Sequence, residues 1–502
     1  LYSIFGANTE MRGGDAYASP RLSDAYSDIL KSTSWNQYNH NFNATLLQET
    51  AFNSNSAGAF ECWSSHYDRI RRENEFLRDA AEFGRKFGED WLKIRIAEVR
   101  FCRAYAYFML CRVYGGVILR TEVDGPEQND KARSTEEECW GFIINELKEL
   151  APDLPLKWDS DNSGRATQKA AYGLLSRVAL YAEKWDVAAQ AARDCATAEG
   201  NLDLSKNGYA KIFELGINSP EVLFAVEFKS SVIDHAYDAY VRPSGDTKEL
   251  GKQVYSGFVP TSELVDSYEM AGDGGNFSWE KHGKDPYANR EPRFYATILY
   301  NGADWMGRKI ESFVGGKDGY KAYENAGAAG TTVTGYYLRK YLIDGDKTWV
   351  TSGSGQDWIV LRYAEVLLNK AEALAMENWN KNSAEALQAL NDVRARVGLP
   401  ARATADKETF LEYVRHERKV ELAGEGFRYW DLRRWRLAEK VIDGQNVHGV
   451  KISKQSDGSF TYEQVDADGG HKRIFYDRYY RFAIPLSERS NNSLCTNNDG
   501  WI

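Results

Sequence analysis

Thr167-Gln-Lys-Ala-Ala-Tyr-Gly-Leu-Leu-Ser-Arg-Val-Ala-Leu-Tyr-Ala-Glu183, then Lys184, then Trp185-Asp-Val-Ala-Ala-Gln-Ala-Ala-Arg-Asp-Cys-Ala-Thr-Ala198, is the stretch that decides the fold. Both halves are rich in strong helix formers. A join of one or two residues between two such runs predicts an antiparallel helix hairpin. Ala170, Ala171, Gly173, Ala179 and Ala182 leave room for the helices to approach closely.

The same grammar extends outward. Trp63, Tyr67, Ile70, Asn74 and Leu77 fall at steps of four and three, a helical stripe whose aromatics belong to the core. A long helix is expected over 90–114, stopped by Gly115-Gly116. Ser134 with Glu137 has capping-box spacing and predicts another helix start. Helices are further expected over 357–378, 383–397, 408–424 and 427–441, and one within residues 1–32 carrying Tyr26, Ile29 and Leu30. Paired in this way, they resemble degenerate tetratricopeptide units without a strict 34-residue period.

Residues 201–356 read differently. Gly, Asp, Asn and Pro rise, helical periodicity fades, and short β-like runs appear at Val222–Phe228, Tyr295–Tyr300 and Tyr336–Tyr341. A structureless stretch of that length in a folded chain points to functional loops mounted on a scaffold. A hairpin is expected at 450–463 and a short strand at Phe482–Pro485.

Composition excludes several classes. The 502 residues carry a net charge of −10, which argues against nucleic acid as a partner. The longest apolar run, Ala104–Cys111, is far short of the ~20 residues of a membrane-spanning helix. The six Cys form no C-x-x-C and read as small buried hydrophobes. The chain opens at Leu1, without a basic or apolar leader, so it is either trimmed and cytosolic or has lost a targeting segment.

No phosphate-binding loop, zinc-protease helix or nucleophile elbow is present in the sequence. Asp159-Ser-Asp161-Asn-Ser163-Gly164 begins like a calcium loop, but position 12 is Ala170 rather than Glu, so a turn before a helix is the better reading. Most acids sit beside Lys or Arg on amphipathic helices, as Glu417, Glu421 and Glu425 do with Arg415, Arg418 and Lys419, and His416 shares that charged face. None stands isolated among apolar neighbours in the manner of a carboxyl with a raised pKa.

Loop aromatics are the stronger signal, in a chain that is 13% Phe, Tyr and Trp. Trp35, Tyr38, Trp279, Trp305, Tyr320 and Tyr323 lie among Gly, Asn, Asp and Ser. A sugar offers a flat C–H face and a rim of hydroxyls, which suits aromatic platforms flanked by polar groups. The expected ligand surface joins the 33–57 loop to the 270–325 loops. Trp35, Trp279 and Trp305 would stack, Tyr38 and Tyr320 would support them, and Asn41, Asp273 and Asn276 would bond hydroxyls.

Collinear motifs name a relative. They include Arg100-Phe-Cys-Arg103-Ala-Tyr105-Ala-Tyr107-Phe108 before Tyr114-Gly-Gly-Val117, and Gly164-Arg-Ala-Thr167 before the helix hairpin. Asn289-Arg-Glu291-Pro-Arg293-Phe294, Arg362-Tyr-Ala-Glu365, and Asn391-Asp-Val-Arg394 with Arg396 follow. Arg415-His-Glu417-Arg418 with Glu421, and Gly426-Phe-Arg-Tyr-Trp-Asp-Leu-Arg-Arg-Trp435, complete the set. From about residue 60 to the C-terminus the chain resembles the SusD/RagB family of Bacteroidetes outer-membrane nutrient-binding lipoproteins. Where that family has Asp-Pro-Arg, this chain has Glu291-Pro292-Arg293.

The resemblance implies one mostly α-helical domain over 1–502. Its scaffold would be four tetratricopeptide-like helix pairs (about 58–200 and 357–441), with the ligand region at 201–356 plus 33–57. It also implies a non-catalytic, surface-exposed lipoprotein of a Bacteroidetes bacterium that captures oligosaccharides and passes them to a SusC-like TonB-dependent transporter. No cofactor is expected, with calcium at the Asp159–Gly164 loop as the distant alternative. The N-terminal lipid anchor is absent from this chain and belongs to the precursor. Peptide binding by the same architecture is the alternative, and a glycoside hydrolase a more distant one. The residues that carry the resemblance read as structural.

Overall fold

The computed structural model describes residues 2, 22–33, 52–125, 130–322 and 330–501. The scaffold helices are α1 Trp63–Phe83, α2 Glu89–Tyr114, α3 Glu136–Leu150, α4 Gln168–Tyr181, α5 Trp185–Thr197, α6 Tyr363–Arg396, which is two helices joined across a kink at Asn378, and α7 Lys407–Glu421. Each packs on the next from α1 to α7, so α5 meets α6 although 165 residues of other structure lie between them. The fold is mostly helical, with short paired strands. Buried apolar residues from Leu22 to Trp501 form one contiguous core.

The helix hairpin forms as expected. Thr167 Oγ1 accepts the Ala170 amide at the start of α4, and α5 begins at Trp185. The capping box of α3 lies one residue later than expected. Thr135 Oγ1 accepts the Glu138 amide at 3.2 Å, and Glu138 Oε2 accepts the Thr135 amide at 2.8 Å. Ser134 and Thr135 both carry a hydroxyl of the kind the box needs, and Thr135, with an extended backbone, supplies it. All six Cys are buried and free.

Four expectations need correction. Trp358–Leu361 is strand, not helix: Trp358–Arg362 pairs antiparallel with Val222–Val226, both wholly buried. A short apolar run buried on both faces carries no periodicity, so the sequence could not separate strand from helix. Residues 22–32 form a 3₁₀ turn (Ser23–Tyr26) and a strand, Leu30–Ser32, paired with Phe258–Pro260. The helix expected over 427–441 is two: α8 Arg428–Arg434 and α9 Ala438–Ile442, parted where Arg436 adopts φ +55°. Phe482–Pro485 is unpaired as a strand among the described residues; the Phe482 amide instead donates to Val113 O. The expected hairpin is present as β1 His448–Lys454 and β2 Phe460–Asp466.

The loop-rich region is fastened to the scaffold by buried ion pairs. Arg362, extended and immediately before α6, donates to Glu221, Glu421 and Glu425 at 2.6–2.9 Å. Arg293 reaches Glu291, Glu417 and Glu421, and Arg394 joins Glu269 to Glu417. Arg396 and Lys340 complete the cluster on Glu221, Glu421 and Glu425. Glu417, Glu421 and Glu425 are ion-paired, as their basic neighbours suggested, but buried and with Arg293, Arg362 and Arg394 as partners in place of Arg415, Arg418 and Lys419. Burial opposes ionisation of Glu421, but Arg396, Arg362 and Arg293 hold its carboxyl well below the usual range. The motifs that carry the family resemblance contribute most of this cluster, and Glu291 takes the acidic place in it.

Candidate functional site

Within the loop-rich region, Ser278 caps a one-turn helix, Trp279–His282, and so aims Trp279. The ring is partly exposed, and its Nε1 donates to Asp266 Oδ2 at 2.9 Å. Asp266 ends another short helix, Ser262–Val265. Burial pushes its carboxyl up to about 6. Phe277 meets Trp279 edge-on at 5.4 Å between centroids.

The β1–β2 hairpin completes the surface. Phe460 and Tyr462, two apart on β2, point to one side of the ribbon. Tyr462 lies 5.9 Å from Trp279 and 5.9 Å from Tyr287, while Phe460 lies 5.5 Å from Phe313. The result is a band of rings running from the 277–287 segment across the hairpin to the 311–320 segment. Its register is fixed by main-chain bonds: the Val314 amide donates to Ile452 O and the Val450 amide to Thr334 O. Gly449 permits that crossing, because a Cβ there would stand 2.4 Å from Thr334 Cα. At the other end, the His448 amide and ring are held by the Glu263 carboxylate.

The expected site residues divide. Asp273 and Asn276 are exposed beside Phe277 and Trp279; Asp273 Oδ1 also accepts the Gly275 amide. Tyr320 is partly exposed and follows Phe313, with its amide donated to Ser312 O. Trp305 is a correction. It is 0% exposed, its Nε1 donates to Asp246 Oδ2 at 3.0 Å, and the Arg242 guanidinium lies 5.2 Å from its ring. It anchors its loop and offers no face to a ligand. Trp35, Tyr38, Asn41 and Tyr323 lie outside the described residues. Phe52 and Ala57, read as part of an exposed loop, are buried, with Phe52 against Phe482 at 4.5 Å.

Sequence reasoning missed Phe313, Phe460 and Tyr462. The alternation Phe460-x-Tyr462 inside an expected hairpin was the available signal. It also missed the carboxyls raised by burial, among them Asp266 and Glu73, the latter pushed up to about 8 inside α1.

A second aromatic surface stands on the scaffold. Phe87 and Trp91 are exposed with rings 5.0 Å apart, and Arg95 lies over both Trp91 and Trp158. The Arg95 and Arg165 guanidiniums converge on buried Glu98.

A helical scaffold bearing a loop-built aromatic surface defines the class. The model of the SusD family matches residues 220–501, more than half of the chain, and the chain belongs to that family. A further model, described as starch-binding associating with outer membrane, matches residues 5–180. A crystal structure of a SusD-like protein from Bacteroides fragilis superposes with a TM-score of 0.83 at 27% identity, covering 96% of this chain and 93% of that one. A SusD-like protein of Bacteroides ovatus is 26% identical over 84% of this chain and 74% of its own length. A laminarin-binding SusD-like protein has the same fold, with a TM-score of 0.68 at 22% identity over 95% of this chain and 92% of that one.

Proposed function

We propose that this chain works as one non-catalytic domain that binds an oligosaccharide or polysaccharide at the outer-membrane surface. In this reading a lipid anchor on the precursor holds it there, and a SusC-like TonB-dependent transporter receives the ligand. The supporting observation is the partly exposed band Trp279–Tyr462, with Asp273 and Asn276 exposed in the chain segment just before it, in a member of the SusD family. Pyranose rings stack on Trp279 and Tyr462 while the two polar side chains meet hydroxyls. Because Trp279 Nε1 is already committed to Asp266, the indole presents only its ring face.

The test is affinity electrophoresis against plant, host and microbial polysaccharides, read also by Trp fluorescence. One polysaccharide retards the chain, and Trp279→Ala with Tyr462→Ala abolishes the retardation, without new reducing ends in the glycan. Loss on Trp91→Ala instead would move the site to the scaffold surface. Binding needs no metal, so a chelator leaves it unchanged; the Asp159 carboxylate is engaged by the Asp161 and Asn162 amides of its own turn.

One observation favours the peptide reading. β2 pairs with β1 alone among the described residues, so its outer edge could take an extended peptide beside the aromatic band. A panel of peptides that retards the chain where no glycan does would select that reading.

A further inference from the structure

Among the described residues, every exposed Phe and Trp lies between residues 76 and 91. Phe76 and Phe83 stand two turns apart on α1, Phe87 lies in the turn that follows, and Trp91 in the first turn of α2. Phe83 is 55%, Phe87 58% and Trp91 42% exposed. A single apolar side chain on a surface needs no explanation, but a cluster of rings does.

The corner is tightly built. A Cβ on Gly84 would stand 2.4 Å from Leu92 Cδ1, so the turn closes directly onto α2. Phe87 and Trp91 rest on each other at 5.0 Å between centroids. Every residue from 85 to 91 is exposed. The turn therefore projects as a convex tip, whereas small-ligand sites are concave. Its charge is balanced: Arg85 and Lys86 are offset by Glu89 and Asp90, all four exposed. Lys86 Nζ lies 5.0 Å from the centre of the Phe87 ring.

The tip also lies close to the start of the chain. Arg95 connects Trp91 to Trp158, and its guanidinium shares buried Glu98 with Arg165. Tyr2 is held at the same carboxylate: its hydroxyl donates to Glu98 Oε1 at 2.5 Å and accepts the Ala166 amide at 3.0 Å. An anchor that precedes Tyr2 in the precursor thus leaves the fold beside these rings.

Rings of this kind settle at the boundary between headgroups and acyl chains, and the stems of Lys and Arg extend from there to the phosphates. We propose that the 83–91 corner is a membrane-contact surface, with Phe83, Phe87 and Trp91 entering the bilayer interface and Arg85 and Lys86 at headgroup level. The inference rests on the outer-membrane location proposed above and is independent of the glycan site. With the charges balanced, attachment comes from buried ring area and responds little to salt.

The test floats the whole chain with vesicles of phosphatidylethanolamine and phosphatidylglycerol. The chain is expected to float with them at low and high salt alike, and brominated acyl chains to quench part of its tryptophan emission. Phe87→Ser with Trp91→Ser should lower the bound fraction about fivefold or more. Trp91→Phe should float nearly as well as the parent while losing the quenching. Circular dichroism checks that each variant folds; if the double variant does not, Phe83→Ser replaces it. No flotation of the parent, flotation undiminished in the serine variants, or release by high salt would each overturn the proposal. The double variant should keep the parent's retardation by polysaccharide. Loss of that retardation would make the corner a glycan site and overturn the proposal as well. A parent that floats but binds no polysaccharide would overturn the glycan reading alone.

Discussion

The helical scaffold and the loop-rich region draw on the same forces in different proportion: the scaffold has buried ion pairs, as Arg177 with Glu365 and Arg103 with Glu146, but its helices also share long apolar faces. In α4 and α5, Ala, Leu and Val bury a continuous face, and one helix rests on the other with little need for polar partners. Between residues 237 and 350 the elements are too short for that. There, Arg242 bridges Asp238 and Asp246, Arg308 bridges Asp246 and Asp318, and Trp305 and Trp349 flank Arg242. The lesson is that charge and aromaticity in a loop are as often fasteners as ligand contacts. A loop lacks a ladder of its own and must satisfy its buried groups through side chains.

The widest break in this contrast comes at the junction. Arg362→Met would leave Glu221, Glu421 and Glu425 short of their shared cation in a dry site. We expect a loss of about 3–5 kcal/mol in urea unfolding, from the uncompensated buried charge. A loss of below about 1 kcal/mol would mean that the cluster contributes little to holding the two regions together.

Two tryptophans of the same region sharpen it next. Trp305→Ala should cost about 3–4 kcal/mol of stability, as for other fully buried large side chains. Trp279→Ala should cost about 1–2 kcal/mol of stability, yet remove most glycan binding. Equal effects of both on stability, with neither touching binding, would make Trp279 an anchor as well.

A smaller effect tests the scaffold itself. Glu73 is buried in α1, and its carboxyl is raised from 4.5 to about 8. Between those values the native chain keeps a proton that the unfolded chain has released, so this group makes stability fall as pH rises through the window. Glu73→Gln, neutral throughout, should match the parent near pH 4.5 and exceed it above pH 8 by at most a few kcal/mol. Thermal unfolding of the pair across that range checks the sign.

The smallest expected effect is spectroscopic. Asp266 titrates near 6 and accepts from Trp279 Nε1. A step in tryptophan emission should appear near that pH and vanish in Asp266→Asn. A step that survives the substitution would belong to another group.

Much of the scaffold was legible because helical signals are local. Thr167 as a helix start, the small residues of α4 and the stripe from Trp63 each concern neighbours within one or two turns. Trp358–Leu361 was not, because a strand buried on both faces shows no alternation. Nor was the role of Trp305, whose partner Asp246 is 59 residues away. Glu421 looked like one more charge on an amphipathic helix, and only its meeting with Arg293, Arg362 and Arg396 makes it buried.

By itself the sequence determined that the chain is mostly helical, that its six cysteines are small core residues, and that its motifs are those of the SusD family. Tertiary structure alone decided which loop aromatics are anchors and which form a surface, and which carboxylates leave water. The reason is physical. Periodicity and capping are set by contacts a few residues apart, whereas the burial of Trp305 and the joining of Trp279 to Tyr462 depend on segments that meet only once the chain has folded.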